Sequence, residues 1–233
     1  MRTTIIMIRF STRTISIGRR LLSDVDEDTA RNRLVDRIDP ELESTERAMR
    51  AVPRHEFVPP AYRDAAYADR PLPIGEGQTI SAPSMVAEMC DQLAATPGDR
   101  ILEIGTGCGY HAAVMAEIVG PENVFSVEFT AALAEGTRDR LDELGYEEIS
   151  IRIGNGRNGW PEHAPYDAVY LTCAADDFPE LLIEQTNDGG LLLGPIGRTT
   201  QRLVLAKKLD DGRLDRLDCG GVRFVPMRGP DVR

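Results

Sequence analysis

The apolar positions of the chain change period twice. Between Thr29 and Ala51 the spacing of Ala30, Leu34 and Ile38, and then of Leu42, Met49 and Val52, predicts two amphipathic helices broken at Asp39-Pro40. Pro53, Pro59, Pro60, Pro71, Pro73 and Pro83 follow, so residues 53–83 can form neither a long helix nor a central strand. Loops of this length tend to carry function.

Beyond Pro97-Gly98-Asp99 short apolar runs alternate with helical stretches, as a parallel sheet requires. Strands are expected at 100–104, 123–128, 149–153, 166–172 and 190–195, with helices at 110–119, 131–144 and 179–186 between them. The end of the chain differs. Residues 203–209 and 215–225 flank Asp210-Asp211-Gly212 and read as an antiparallel hairpin added to the sheet. The expected fold class is α/β, a doubly wound Rossmann-like sheet with an N-terminal helical and loop extension and a C-terminal hairpin. Residues 23–97 carry the helices and substrate-side loops and 98–229 the ligand-binding core, together one domain. The 233 residues suffice for this and not for two full domains.

Residues 1–22 hold five arginines and no acid, and the sign reverses at Ser23-Asp24-Val25-Asp26-Glu27-Asp28. This basic segment is expected to be disordered or weakly attached. It lacks the apolar core of a secretory signal, and no run reaches the roughly 18 apolar residues of a membrane helix, so a cytoplasmic protein without membrane contact is expected.

Charge narrows the chemistry. The formal net charge is -11, which argues against nucleic acid as a partner, because phosphate binding calls for a basic face. Lys207 and Lys208 are the only lysines, leaving almost no candidate for Schiff-base chemistry or a phosphate-gripping loop lysine. An acidic, lysine-poor composition fits a protein kept soluble in concentrated salt, or simply a GC-rich genome. Cys90, Cys108, Cys173 and Cys219 form no Cys-x-x-Cys pair and share no ligand spacing with His55, His111 and His163, so reduced thiols and no metal site are expected. His55 reads as structural beside Phe57.

The first core strand ends in Glu103-Ile104-Gly105-Thr106-Gly107-Cys108-Gly109, a glycine loop opening a helix, where missing Cβ atoms let a ligand approach the backbone. The third glycine stands one residue too early for a dinucleotide fingerprint, and Glu103 would repel a pyrophosphate. A cofactor that is cationic at this point, such as S-adenosylmethionine, suits it better. Glu128, 19 residues after Gly109 at the end of the second strand, is placed to accept hydrogen bonds from ribose hydroxyls. Gly154-Asn155-Gly156 and Thr172-Cys173-Ala174-Ala175 end the next two strands at the same edge and would border an adenine, with the Asn155 oxygen facing its amino group. Ser81 stands where it could cap a helix opening at Ala82-Pro83.

Four strings, at 52–59 (Val-Pro-Arg-His-Glu-Phe-Val-Pro), 72–81 (Leu-Pro-Ile-Gly-Glu-Gly-Gln-Thr-Ile-Ser), 102–110 and 223–226 (Arg-Phe-Val-Pro), stand in the order seen in protein-L-isoaspartate O-methyltransferases, a family the chain resembles from about Leu42 to Gly229. The resemblance implies a class I methyltransferase fold and methyl transfer from S-adenosylmethionine to the free α-carboxylate of isoaspartyl residues in damaged proteins. The ester then closes to a succinimide, which begins repair. Ser81 matches the serine of the family's active site; Gln78, Thr79, Ser81 and Gln201 would meet the peptide, and Ile80, Glu103, Gly105, Thr106, Gly107, Glu128, Asn155 and Gly156 the cofactor. The family usually has Asp in place of Asn155 and His or Tyr in place of Ser84. A monomer acting on isoaspartyl proteins or peptides is expected. A transferase for another carboxylate or amide, or a non-catalytic binding module, is compatible with the same residues.

Overall fold

The computed structural model describes residues 14–229, with side chains from residue 26 onward. Helices α1 (Thr14–Ile38) and α2 (Glu43–Ala51) meet at the break expected at Asp39-Pro40, where Asp39 takes a positive φ. Helix α1 runs straight across the change of charge sign at residues 22 and 23, so composition marks no boundary in the backbone there. The expectation for residues 1–13 lies outside the described residues. Short 3-10 segments at Arg54–Phe57 and Pro60–Ala65 carry the proline-rich stretch to a small hairpin, β1 (Leu72–Gly75) and β2 (Gln78–Ile80).

Helix α3 (Pro83–Leu93) opens at Ala82-Pro83, the point where the sequence admits a helix start, though its extent was not expected. Pro83 opens it, where a missing N–H costs nothing, and Val86, Met89, Cys90 and Leu93 form its buried stripe. Its N-cap is Ala82, with no side-chain capping bond, so Ser81 does not cap it.

The core then alternates as predicted: β3 (Ile101–Ile104), α4 (Tyr110–Val119), β4 (Val124–Glu128), α5 (Ala131–Glu143), β5 (Ser150–Ile153), β6 (Tyr166–Leu171), α6 (Glu180–Glu184), β7 (Thr186–Ile196), β8 (Gln201–Lys208) and β9 (Leu214–Val222). The seven strands lie in the order β5-β4-β3-β6-β7-β8-β9. The first five are parallel, and β8 and β9 add antiparallel at one edge. Successive residues of β3 therefore enter different cores. Ile101 packs with α2, α3 and α4 on one face, and Leu102 and Ile104 with Val169, Leu182 and Leu192 on the other. Helix α4 is apolar almost all round because strands and helices enclose it. Strand order reverses between β3 and β6, and the carboxyl ends of the parallel strands open there, where an open α/β sheet holds its ligand.

Candidate active site

Three hollows meet at this edge, and Thr79 and Thr172 line all of them. The largest of the three, about 530 Å³, lies against Gly105, Gly107, Glu128 and Gly156, with Gln78 and Thr79 across it. A smaller inner recess of about 340 Å³ holds Ile80, Ser81, Glu103, Thr106, Tyr110 and His111. A groove of about 520 Å³ leads outward from Ser81 past Met85 and Phe224.

Glycine is required at two points of the cradle. A Cβ on Gly105, whose φ is +103°, would stand 2.4 Å from the Thr172 hydroxyl, and one on Gly156 would stand 2.4 Å from Ile104 Cγ2. Glu128, 7% exposed, shapes the cradle from β4. Its Oε2 accepts from the Gly107 N–H at 2.9 Å and its Oε1 from the Thr130 N–H at 2.8 Å. Each oxygen keeps a second lone pair for a guest hydroxyl. Beside it Phe129 is 44% exposed and lines the same hollow, a flat apolar face open to a planar ring.

Glu103 departs from the picture of a charged neighbour facing the cofactor. It is 0% exposed; Ser126 donates to it at 2.5 Å and Tyr170 at 2.9 Å, while the Thr106 hydroxyl lies 2.6 Å from that of Ser126. Burial pushes its carboxyl up to about 8, against the pull of these hydrogen bonds, so without a guest it carries a proton at neutral pH. His111, in the same recess, is pushed down to about 3 by burial alone and is neutral, and its Nδ1 has no partner among the described residues. No spacing in the chain points His111 to the site; the packing of α4 against β6 brings it there.

Two other expectations change on sight of the hydrogen bonds. Gln201 lines none of these hollows: its oxygen accepts from the Phe224 N–H at 2.7 Å and its amide donates to the Phe224 carbonyl at 3.1 Å. It braces the groove wall through the main chain of Phe224. Asn155 caps its own 3-10 turn by accepting from the Arg157 N–H at 3.1 Å, and Gly156, not Asn155, lines the hollow. Gln78 does face the opening, where its oxygen accepts from Arg228 Nε and Nη2, both at 2.8 Å. Phe129, Met227 and Arg228 escaped the sequence reading; an aromatic residue directly after the strand-end acid was the available signal for Phe129. The Ser81 hydroxyl makes no hydrogen bond with a described residue and is free for a guest. All four cysteines are thiols, three of them buried, and no cluster of metal-ligating side chains occurs among the described residues. His55 is structural, its ring held between Tyr67 and Glu27.

A sheet that reverses order beside a glycine loop, followed by a strand-end acid on that loop, defines the Rossmann-like class of S-adenosylmethionine-dependent methyltransferases. Within that class the chain belongs to the protein-L-isoaspartate(D-aspartate) O-methyltransferase family, whose model matches residues 33–231. Protein-L-isoaspartate O-methyltransferase 2 of Archaeoglobus fulgidus is 48% identical over 209 residues, covering 88% of this chain and 95% of its own. The enzyme of that name from Methanopyrus kandleri is 46% identical, covering 87% of this chain and 92% of its own. Among solved structures a protein-L-isoaspartate O-methyltransferase superposes with a TM-score of 0.80 at 31% identity over 85% of this chain, which spans 66% of that chain. A Plasmodium falciparum protein described as a putative member, in complex with S-adenosyl-L-homocysteine, shares the fold with a TM-score of 0.74 at 24% identity, covering 85% of this chain and 98% of its own.

Proposed function

We propose that the chain transfers a methyl group from S-adenosylmethionine to the free α-carboxylate of L-isoaspartyl residues in proteins, the first step of their repair. The observation that carries this reading is the meeting of the Gly105–Gly107 hollow with the groove of Ser81 across Thr79 and Thr172. One guest held in each would touch the other only there.

The residues present fit the cofactor. Gly105 and Gly156 leave room that a Cβ would fill, Glu128 offers free lone pairs to ribose hydroxyls, Phe129 offers a face to adenine, and the buried Glu103 can become a carboxylate opposite a cation. When bound, the sulfonium supplies an electrophilic methyl group. The chain itself positions and desolvates. A peptide carboxylate, with an ordinary pKa of about 3.5, is already ionised at neutral pH, so no general base is needed. His111, neutral and buried, is not called on for one. Ser81 holds the carboxylate through its free hydroxyl, Thr79 and Thr172 set the passage, and the main chain of Gln78–Ser81 forms the near wall of the groove. Holding two reactants in register is worth up to about 7–11 kcal/mol. We further propose that the protein acts as a monomer in the cytoplasm; no helix among the described residues is long and apolar enough to cross a membrane.

Labelled S-adenosylmethionine with matched Asp and isoAsp peptides tests the reading. Base-labile label is expected on the isoAsp peptide alone. Equal label on both would point to a broader carboxyl methyltransferase, and binding without label to a non-catalytic module.

A further inference from the structure

The string Arg223-Phe224-Val225-Pro226 has so far no part in the reaction, yet it is the most firmly braced segment of the groove. Gln201 engages both main-chain polar groups of Phe224, the Val225 carbonyl accepts from the Ala174 N–H at 2.8 Å, and the Met227 N–H donates to the Ala174 carbonyl at 2.8 Å. The outer wall of the groove is therefore rigid, and what it displays is displayed in a fixed place.

It displays one charge. Pro71, Met85, Phe224 and Val225 make the groove largely apolar, and Arg223 is the only charged residue on its lining. The Arg223 side chain is exposed and makes no hydrogen bond or ion pair with a described residue. By contrast Arg50, Arg63, Arg152, Arg202, Arg213 and Arg216 are each paired with an Asp or Glu. Asp69 accepts from the Ser84 N–H at 2.9 Å and forms no ion pair with a described residue.

From the brace, the apolar lining and the unpaired cation together, we propose that Arg223 determines peptide specificity by receiving the carboxylate of an acidic side chain that flanks the isoaspartyl residue. The proposal rests on the function proposed above. Ser81 borders both the inner recess and the groove, whereas Arg223 borders only the groove, so the reacting carboxylate belongs at Ser81 and a second one at Arg223. A guanidinium is suited to this task because its planar fork matches a carboxylate and never loses its charge.

The test uses three isoAsp peptides that differ only in the neighbouring residue, Glu, Gln or Lys, with the full chain, R223Q and R223E, at the lowest salt at which each stays folded. For the unaltered chain kcat/KM should fall in the order Glu, Gln, Lys, with about a tenfold spread carried by KM, which corresponds to about 1.4 kcal/mol. The spread should shrink as salt rises, vanish in R223Q and reverse in R223E. Because each enzyme is compared with itself across peptides, a general loss of activity does not blur the result. An unchanged spread in both variants overturns the assignment, as does an equal loss on all three peptides in R223Q, which would place Arg223 on the reacting carboxylate. Absence of label on every isoAsp peptide with the unaltered chain would instead overturn the proposed function itself.

Discussion

Arg54 Nη2 donates to the carbonyl of Ser81 at 2.8 Å, so the residue proposed to hold the peptide carboxylate is held from behind by an arginine that is 0% exposed. Arg54 Nε also donates to the Ala66 carbonyl at 2.9 Å, its Cζ lies 4.8 Å from the centre of the Tyr110 ring, and no carboxylate among the described residues pairs with it. Its Nη1 has no partner among the described residues. A buried cation without a counter-ion is costly, and such groups persist where they fix a geometry.

Replacing Arg54 should therefore damage placement as well as stability. In R54M the carbonyls of Ala66 and Ser81 lose their donors, at about 1–3 kcal/mol each, partly offset by relief of the buried charge. Melting should fall, and kcat should fall about tenfold or more while cofactor affinity holds. R54K keeps the charge without the fork and should lie between. A lower melting temperature with an unaltered kcat would reduce Arg54 to scaffolding.

The proton on Glu103 should leave when the cofactor arrives. With the carboxyl raised from 4.5 to about 8, the empty protein holds it protonated at pH 7, and a cation beside it favours the carboxylate. Affinity for S-adenosylmethionine should thus rise between about pH 6 and 8 and be flat in E103Q. Calorimetry in two buffers of different ionisation enthalpy counts the released proton directly; identical heats in both would contradict it. The stability sign is fixed by the same shift. The folded state binds the proton more tightly than the unfolded, so this stabilisation is complete below about pH 4.5 and lost as pH rises through about 8. Melting of the unaltered chain should decline over that window more steeply than that of E103Q.

What the sequence made legible was whatever is decided locally. Helix α4 has the bounds expected, Tyr110 to Val119, because Gly109 and Gly120 close both ends with positive φ and, His111 and Glu117 aside, what lies between is apolar or aromatic. The glycine loop and Glu128 were legible for the same reason. The opening of α3 at Pro83 was legible as a proline at the first helical position, but its run to Leu93 was not, since Val86, Met89, Cys90 and Leu93 form a buried stripe only against the folded core. The state of Glu103 was hidden because it depends on α4, β4 and β6 closing over it. Asn155 and Gln201 were assigned outward roles, but both spend their amides on nearby main chain, and no spacing rule tells a polar side chain that greets a ligand from one that braces a turn.

Two glycine substitutions should separate cradle from scaffold. G105A brings a Cβ to 2.4 Å from the Thr172 hydroxyl at a φ of +103° and should weaken cofactor binding by more than tenfold and lower melting. Gly136, inside α5 with nothing within 4 Å of an added Cβ, should behave in the opposite sense. G136A is expected to raise stability by about 0.5–1 kcal/mol and leave kinetics alone. Parallel melting curves and titrations check both; equal behaviour would mean that the loop tolerates a side chain and the cradle is elsewhere.

Glu128 offers the sharpest test of how the cofactor is held. Two backbone donors, from Gly107 and Thr130, point at its two oxygens, and a glutamine can accept only one of them while turning its amino group on the other. E128Q is thus not a mild change. Losing charge-assisted bonds worth about 1.5–3 kcal/mol should weaken S-adenosylmethionine by about 10- to 100-fold. Part of that loss would come from the loop and part from the ribose, and a cofactor analogue lacking one ribose hydroxyl divides them. If Glu128 accepts from the ribose, the analogue binds the unaltered chain worse than the full cofactor, yet binds E128Q and E128A almost as well as the full cofactor does. Equal penalties in all three proteins would leave Glu128 as a brace for Gly107 and move ribose recognition to another residue of the hollow.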